Sequence, residues 1–193
     1  DLIEKSSLTF IPCHTWVCSP IAKKVEEYSR KFISTPAQVR IVVERSGPAE
    51  GAKEGHPLWR VTPRLSGGGI LMDPGYHCLR LAQRWIGDQE LHPLELSSEF
   101  DLGGIDWAAK AKFSSENGSQ VELVLTWKGN KRHVYYEVSA NGWSIVADED
   151  NVVLNSPGRT PRVILCGTSL STDGVHLDWY RELYELFLSP NEP

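Results

Sequence analysis

Seven short β-rich segments follow one another through the second half of the chain, and turn signals separate them. The segments are 94–102, 107–114, 120–128, 132–139, 142–148, 151–154 and 162–166. Between them lie Gly103-Gly104, Asn117-Gly118, Gly129-Asn130, Asn141-Gly142 and Pro157-Gly158. Such residue pairs favour tight hairpin connections, and strands joined by them pair antiparallel. The sequence therefore predicts an antiparallel meander of about six strands.

The segment at 120–128 indicates which face of the predicted sheet is buried. Its odd-numbered residues are apolar and its even-numbered residues are mostly polar: Val121, Leu123, Leu125 and Trp127 against Glu122, Val124, Thr126 and Lys128. Because side chains alternate between the two faces of a strand, one face is expected to be buried and the other partly exposed to water.

The other elements indicate an α+β domain. Ser19-Pro20 predicts a helix start, and apolar spacing continues the helix to about Ile33. Further helices are expected after a glycine-rich run near residue 69 and over 173–188, and strands over 8–18 and 38–45, with a polar loop over 46–57. We expect a single domain, residues 1–193, with a large, mostly antiparallel, open-faced sheet and about three helices.

Charge and cysteine content limit the function classes. A net charge of −5 provides no basic surface for nucleic acid or an anionic membrane. We therefore expect neither nucleic acid nor a membrane surface as a partner. We also expect no membrane span and no signal peptide, because no apolar run in the sequence is long enough to span a bilayer and the first residues do not follow the signal-peptide pattern. Four cysteines without paired spacing indicate a reduced, cytoplasmic protein, and no second Cys/His pair completes a metal site with Cys13, His14 and Cys18.

The glycine-rich run, Ser66-Gly67-Gly68-Gly69, leads into an apolar helix that carries Asp73 and His77. Residues four apart share one helix face, and a carboxylate beside an imidazole raises the pKa of the imidazole and suits proton transfer near neutral pH. The alternative interpretation is a solvated surface pair, which is common and weak. The apolar character of the helix and its glycine-rich start favour a functional pair.

These residues resemble the C-terminal domain of the Gfo/Idh/MocA oxidoreductases. The resemblance rests on Trp59-Arg60, Ser66 to Gly69, Leu71, Asp73-x-Gly75-x-His77, Leu81 and Trp85-Ile86-Gly87. It spans roughly residues 8–188 in the order of elements, whereas only the segment from Trp59 to Gly87 is specific.

The resemblance implies a division of labour between two domains. A Rossmann domain binds NAD or NADP, and the present domain receives a sugar- or cyclitol-like alcohol. His77 is then the acid/base that exchanges the hydroxyl proton, and Asp73 either polarises His77 or binds substrate. Trp59, Arg60 and Tyr76 are candidate substrate contacts, although Trp59 and Arg60 fit structural roles equally well.

Three departures from the family pattern qualify this interpretation. The chain has no G-x-G-x-x-G unit, and the family's catalytic lysine, which lies in the Rossmann domain, is also missing. We therefore expect the chain to bind no cofactor alone, and to be either a domain of a larger protein or a part whose dinucleotide-binding half is supplied elsewhere. Thr15-Trp16 stands where many members carry Asn and Arg. The chain also ends at Pro193, where members commonly continue.

Two alternatives to a catalytic domain stay open. A non-catalytic interaction domain would form a homodimer through the open sheet face, and apolar residues on the outer face between Val121 and Leu165 would favour it. A ligand-binding domain with a degenerate active site is compatible with Thr15-Trp16.

Overall fold

The computed structural model describes residues 12–48, 59–148, 150–165 and 176–188. The described helices are α1 (Pro20–Phe32), α2 (Pro63–Ser66), α3 (Gly75–Trp85) and α4 (Leu177–Leu188). The strands are β1 (Gln38–Glu44), β2 (His92–Phe100), β3 (Asp106–Ser114), β4 (Gln120–Thr126), β5 (His133–Ala140), β6 (Trp143–Asp148), β7 (Asn151–Asn155) and β8 (Arg162–Leu165). The expected α+β class with a large, mostly antiparallel sheet is confirmed, and α2 is a short helix beyond the three expected.

All eight described strands form one sheet in the order β2-β3-β4-β1-β5-β6-β7-β8. The expected uninterrupted meander is wrong at one place, because β1 lies between β4 and β5. It runs parallel to β4, with Ile41 opposite Leu123, and antiparallel to β5, with Ile41 opposite Tyr136. The alternation of apolar and polar residues in β1 predicts a strand with one buried face, but it does not specify which strands lie beside it. The position of β1 between β4 and β5 therefore could not be predicted from the periodicity.

Helices α1 and α3 cover one face of the sheet. The Ser19 hydroxyl accepts a hydrogen bond from the Ala22 N–H at 3.1 Å, which caps α1 as expected. Arg84 of α3 donates two hydrogen bonds of 2.8 Å to the carboxylate of Glu26 of α1, so a charged pair joins the two helices beside the core. The buried strand residues beneath them include Val39, Ile41, Val43, Val121, Leu123, Leu125, Val134, Tyr136 and Val138.

The opposite face of the sheet is lined mainly by charged pairs. Lys110 and Arg40 both contact the carboxylate of Glu122, at 2.8 and 3.3 Å. Lys112 contacts Glu95 at 2.8 Å and belongs to the same row of side chains. Half-buried valines interrupt this polar surface as two cross-strand pairs, Val42 with Val124 and Val146 with Val153.

The strand expected over residues 8–18 is wrong where the structure describes it. Thr15–Cys18 form a turn of 3-10 helix, with Thr15 and Cys18 buried. Residues 8–11 lie outside the described residues, as do most of the expected 46–57 loop and the first residues of the expected C-terminal helix, 173–175. Pro12 and Pro20 flank the turn, and proline supplies no N–H for a sheet ladder.

In the described part of the chain, no helix combines the length and the apolar character that a membrane span requires.

Candidate active site

The glycine-rich run folds against the start of β3. The carboxylate of Asp106 accepts hydrogen bonds from the Gly69 N–H at 2.5 Å and from the Leu71 N–H at 2.9 Å. A β-carbon on Gly69 would lie 2.1 Å from the backbone oxygen of Asp106, so no larger residue fits there. This tether fixes the turn that precedes α3. The helix begins at Gly75 with Pro74 as its cap residue, slightly later than the expected start near Asp73.

Asp73 lies in the turn before α3 and faces two arginines. Arg60 Nε donates to one carboxylate oxygen at 3.0 Å, and Arg45 Nη1 lies 3.4 Å from the other. The side chain of Asp73 is 19% exposed. The Asp73 carboxylate therefore forms ion pairs with the guanidinium groups of both Arg60 and Arg45.

His77 occupies an aromatic pocket on the first turn of α3. Its ring stacks on Trp16, with the centroids 5.1 Å apart and the planes 4° from parallel. His14 contacts it edge-on at 6.0 Å, and the Tyr76 ring centroid lies 3.9 Å away. The Nδ1 atom of His77 is buried and has no hydrogen-bond partner within the described part of the chain.

The environment of His77 lowers its pKa. Burial is the main cause, the nearby His14 and Arg45 add to it, and the pKa falls from 6.5 to about 3. The expectation that a neighbouring carboxylate raises this pKa is wrong, because burial dominates and both His14 and Arg45 act in the same direction. At neutral pH the imidazole is uncharged, which is the form that can accept a proton.

Arg45 follows β1 directly and is the most enclosed of the charged groups beside Asp73. Its side chain is 12% exposed, and its guanidinium lies over the ring of Trp16 at 5.9 Å. The Nε atom is buried, and none of the described residues hydrogen-bonds to it. Burial and the nearby Arg132 lower the pKa of this guanidinium, and Asp73 acts in the opposite direction.

Buried polar atoms without a partner concentrate around Trp16. Five of them belong to His14 Nδ1, Arg45 Nε, His77 Nδ1, His176 Nε2 and Trp179 Nε1. Trp179 of α4 lines one small cavity together with Trp16, Arg132 and Tyr136. His14 belongs to the same region through its contact with His77. Buried polar groups are normally hydrogen-bonded, so a concentration of unpaired ones indicates a place for a polar ligand or water.

The structure brings the five residues singled out in the sequence into one region. Trp59 is 46% exposed and supports the Arg60 guanidinium, which lies 4.5 Å from its ring centroid. Tyr76 is 45% exposed and contacts His77. Arg60 contacts both Trp59 and Asp73.

Sequence reasoning missed three members of this site. Trp16 stacks on His77, His14 lies beside it, and Arg45 faces Asp73. The sequence distinguishes Trp16 only as a departure from a family pattern. A signal for Arg45 existed, because it is a cation placed directly at the end of the apolar strand β1.

No metal centre is formed by the described residues, since no three His, Cys, Asp or Glu side chains in 12–48, 59–148, 150–165 and 176–188 lie close enough to hold an ion.

No protein-family model matches the chain significantly, and neither does any curated protein sequence. Solved structures do match it. Levoglucosan dehydrogenase in complex with NADH and levoglucosan superposes with a TM-score of 0.75 at 13% identity, covering 97% of this chain and 58% of that one. An oxidoreductase domain protein from Kribbella flavida gives 0.72 at 15% identity, covering 91% and 56%.

A third match is an inositol dehydrogenase homologue with NAD⁺ from Azotobacter vinelandii, with a TM-score of 0.67 at 17% identity, covering 83% of this chain and 44% of that one. The chain thus spans about half the length of the structures that it matches. It shares the fold of that part of these NAD-binding oxidoreductases, and the resemblance to the Gfo/Idh/MocA oxidoreductases is confirmed at the level of the fold.

Proposed function

We propose that this chain is the substrate-binding and catalytic part of an NAD(P)-dependent oxidoreductase that moves a hydride to or from an alcohol carbon of a sugar- or cyclitol-like substrate. The observation that carries the proposal is the uncharged His77, held against Trp16 among unpaired polar atoms at the start of α3. The names of the matched dehydrogenases, which include levoglucosan and inositol, support the substrate class.

The chain's own residues carry the proton side of this reaction. As the hydride leaves the carbinol carbon, the hydroxyl O–H bond breaks and a carbonyl forms, so a base must take the proton. The neutral imidazole of His77 accepts that proton at its unprotonated nitrogen and returns it in the reverse direction. Stacking on Trp16 holds the ring in one orientation, which reduces the entropy lost when substrate binds.

The remaining candidate residues suit recognition of a polyol. The exposed rings of Trp59 and Tyr76 can contact the apolar face of a sugar, while Asp73 accepts hydrogen bonds from substrate hydroxyls or keeps Arg60 in place. These roles are part of the proposal.

The nicotinamide cofactor belongs to another domain in this proposal. A bound nicotinamide would supply the hydride acceptor or donor. The sequence after β1 has no G-x-G-x-x-G turn, and apart from the parallel pair β1–β4 the described strands pair antiparallel. The described residues therefore do not form the parallel, glycine-rich unit that binds a dinucleotide. A Rossmann domain is therefore the proposed partner that holds NAD or NADP. The same proposal places the protein in the cytoplasm, in keeping with the free thiols of Cys13, Cys18 and Cys78.

A turnover assay tests the role of His77. The chain is joined to a dinucleotide-binding domain and assayed with a panel of sugars and cyclitols, with NAD(P)⁺ reduction followed spectroscopically. His77→Asn is expected to lower kcat at least about 100-fold, the usual contribution of a general base. His92→Asn, an exposed substitution on β2, is the matched control and should keep wild-type turnover. Equal rates for the two variants would remove His77 from the mechanism.

A second candidate function is self-association through the open face of the sheet. The valine pairs Val42/Val124 and Val146/Val153 favour a homodimer, with the surrounding charged pairs as a polar rim. Analytical ultracentrifugation of the chain distinguishes the two states, and a monomer at high micromolar concentration would contradict the homodimer.

A further inference from the structure

Two arginines share one carboxylate in the candidate active site, and they do so unequally. Arg60 makes the shorter contact with Asp73, 3.0 Å from its Nε, whereas the Arg45 Nη1 distance is 3.4 Å. The Nε atom of Arg45 makes no hydrogen bond to any of the residues that the structure describes. Arg45 therefore keeps donor capacity that Asp73 does not use, although its side chain is only 12% exposed.

A purely structural role does not explain this arrangement. Asp73 is already held by Arg60, and a buried guanidinium with an unpaired N–H is costly because it has lost water without gaining a full set of partners. The burial of Arg45 at this energetic cost therefore indicates a function beyond holding Asp73. A guanidinium beside an aromatic platform is well suited to binding a planar or tetrahedral anion through parallel hydrogen bonds.

The surroundings of Arg45 also favour an anion. His14 and His77 each have a lowered pKa, mainly because of burial, and an arginine adds to the effect in both cases: Arg80 for His14 and Arg45 for His77. The two imidazoles beside Trp16 thus lie in the positive potential of arginines. An anionic ligand group would complement that potential.

We propose that Arg45 binds an anionic group of the substrate, a carboxylate or a phosphate, so that the substrate class is an acidic sugar-like alcohol rather than a neutral one. This inference rests on the proposed function and specifies its substrate. The reacting hydroxyl lies at His77, the anionic group engages Arg45, and the ring of Trp16 contacts both residues.

Anion binding has a consequence for the base. Arg45 is one of the groups that lower the pKa of His77. A substrate anion beside Arg45 offsets its charge and raises the pKa of His77, which makes the imidazole a stronger base when the correct substrate is present. A neutral sugar leaves that pKa low.

Calorimetric titration of the chain with matched ligands tests the inference. The ligands are glucose, glucuronate and glucose 6-phosphate, which share a ring and differ in the charged group. Wild type is expected to bind one acidic ligand at least 10-fold more tightly than glucose, and comparing the carboxylate with the phosphate identifies the anion. Arg45→Met should lower the affinity for that ligand at least 10-fold, and Arg45→Lys, which keeps the charge but not the fork, should recover part of it.

Arg40→Met is the matched control, because Arg40 lies on β1, faces the opposite side of the sheet and is 54% exposed. It should bind all three ligands as wild type does. An NMR titration of the His77 ring supplies a second readout, in which the pKa of His77 rises when the acidic ligand is bound and stays low with glucose. Circular dichroism establishes that Arg45→Met is folded.

The outcomes separate the two proposals. Equal affinity for glucose and both acidic ligands in wild type overturns the role of Arg45 and leaves the proposed function standing. Binding of none of the three, nor of inositol or levoglucosan, overturns the proposed function and this inference together. If Arg45→Met does not fold, the wild-type ligand preference and the shift in the pKa of His77 decide the question without it.

Discussion

At the scale of single residues, the site is organised by what happens to charge when it is buried. The ring of Trp16 contacts both the imidazole of His77 and the guanidinium of Arg45, and both side chains have lost part of their contact with water. The imidazole responds by staying neutral, since its pKa can fall below physiological pH, whereas an arginine cannot discharge in this way. The two groups therefore divide the chemistry between them: His77 can move a proton, and Arg45 offers a permanent positive charge.

The lowered pKa of His77 predicts a pH dependence of stability. The folded chain holds this pKa at about 3, against 6.5 when the residue is exposed. Between these values the unfolded state binds the additional proton, so stability rises with pH through this window and becomes flat above about 6.5. The contribution is lost as the pH falls, with a slope of at most about 1.4 kcal/mol per pH unit.

Urea unfolding at several pH values between 4 and 7 measures this contribution. In His77→Gln the slope should be smaller than in wild type, and the difference between the two curves isolates His77 from the carboxylates that titrate in the same range. His92→Gln on the exposed strand β2 is the control and should follow wild type. Parallel curves for wild type and His77→Gln would show that His77 is solvated in solution.

Only part of this site could be predicted from sequence. Asp73 and His77 stood out because a carboxylate and an imidazole followed a glycine run at helical spacing, and both lie in the site. Their spacing indicated that they pair with each other, but Asp73 instead meets Arg45 and Arg60, which are distant in sequence. Periodicity reports the neighbours within one element, whereas these contacts depend on how three separate segments converge.

At the scale of elements, the turn before α3 depends on one close approach. Gly69→Ala would place a methyl group against the backbone oxygen of Asp106, which cannot move without disturbing β3. We expect a loss of about 3 kcal/mol, near the upper end for overpacking, because the obstacle is backbone rather than a flexible side chain. Urea unfolding monitored by tryptophan fluorescence measures the loss.

Gly47→Ala is the matched control for this prediction. Nothing lies within 4 Å of a β-carbon built on Gly47. The control substitution should therefore change stability by less than about 1 kcal/mol. A similar effect of both substitutions would show that the turn adapts and that the tether to Asp106 is dispensable.

Elements whose signals are local were predicted well. The start of α1 followed from Ser19-Pro20, and the β5–β6 hairpin followed from Asn141-Gly142, both of which have positive φ angles. The turn of 3-10 helix at Thr15–Cys18 was missed, because its β-branched and aromatic residues are equally typical of a strand. Burial of Thr15 and Cys18 beneath α4 and α3 is a tertiary effect that no local pattern contains.

At the scale of the whole molecule, the inserted strand β1 connects the two halves of the sheet. Without it, β2-β3-β4 and β5-β6-β7-β8 would be two separate antiparallel sheets. Two residues of β1 lie on the open face of the sheet. Arg40 belongs to its charged pairs, and Val42 belongs to its valine pairs. Residue Arg45 extends the same strand toward the site, since its N–H donates to the Thr126 carbonyl at 2.9 Å. Hence the centre of the sheet and the candidate site share one element.

This arrangement predicts a gradient of hydrogen exchange across the sheet. Amides of β1 are paired on both sides, and Val39, Ile41 and Val43 are almost fully buried. Among the described strands, β2 pairs with β3 alone, and it is exposed along nearly its whole length. Because exchange from a central strand requires disruption of both halves of the sheet, β1 amides should exchange through global unfolding and β2 amides through local opening.

Hydrogen exchange followed by mass spectrometry at low micromolar concentration measures this gradient. Peptides covering β1 and β4 should be protected far longer than a peptide covering β2, and protection of β8, the other edge strand, should also be weak. Adding urea well below the unfolding midpoint should leave the β2 rate nearly unchanged and increase the β1 rate, since only global unfolding exposes much new surface. Equal protection of β1 and β2 at this concentration would contradict the topology, because a strand paired on one side and exposed to water cannot match one that is paired on both.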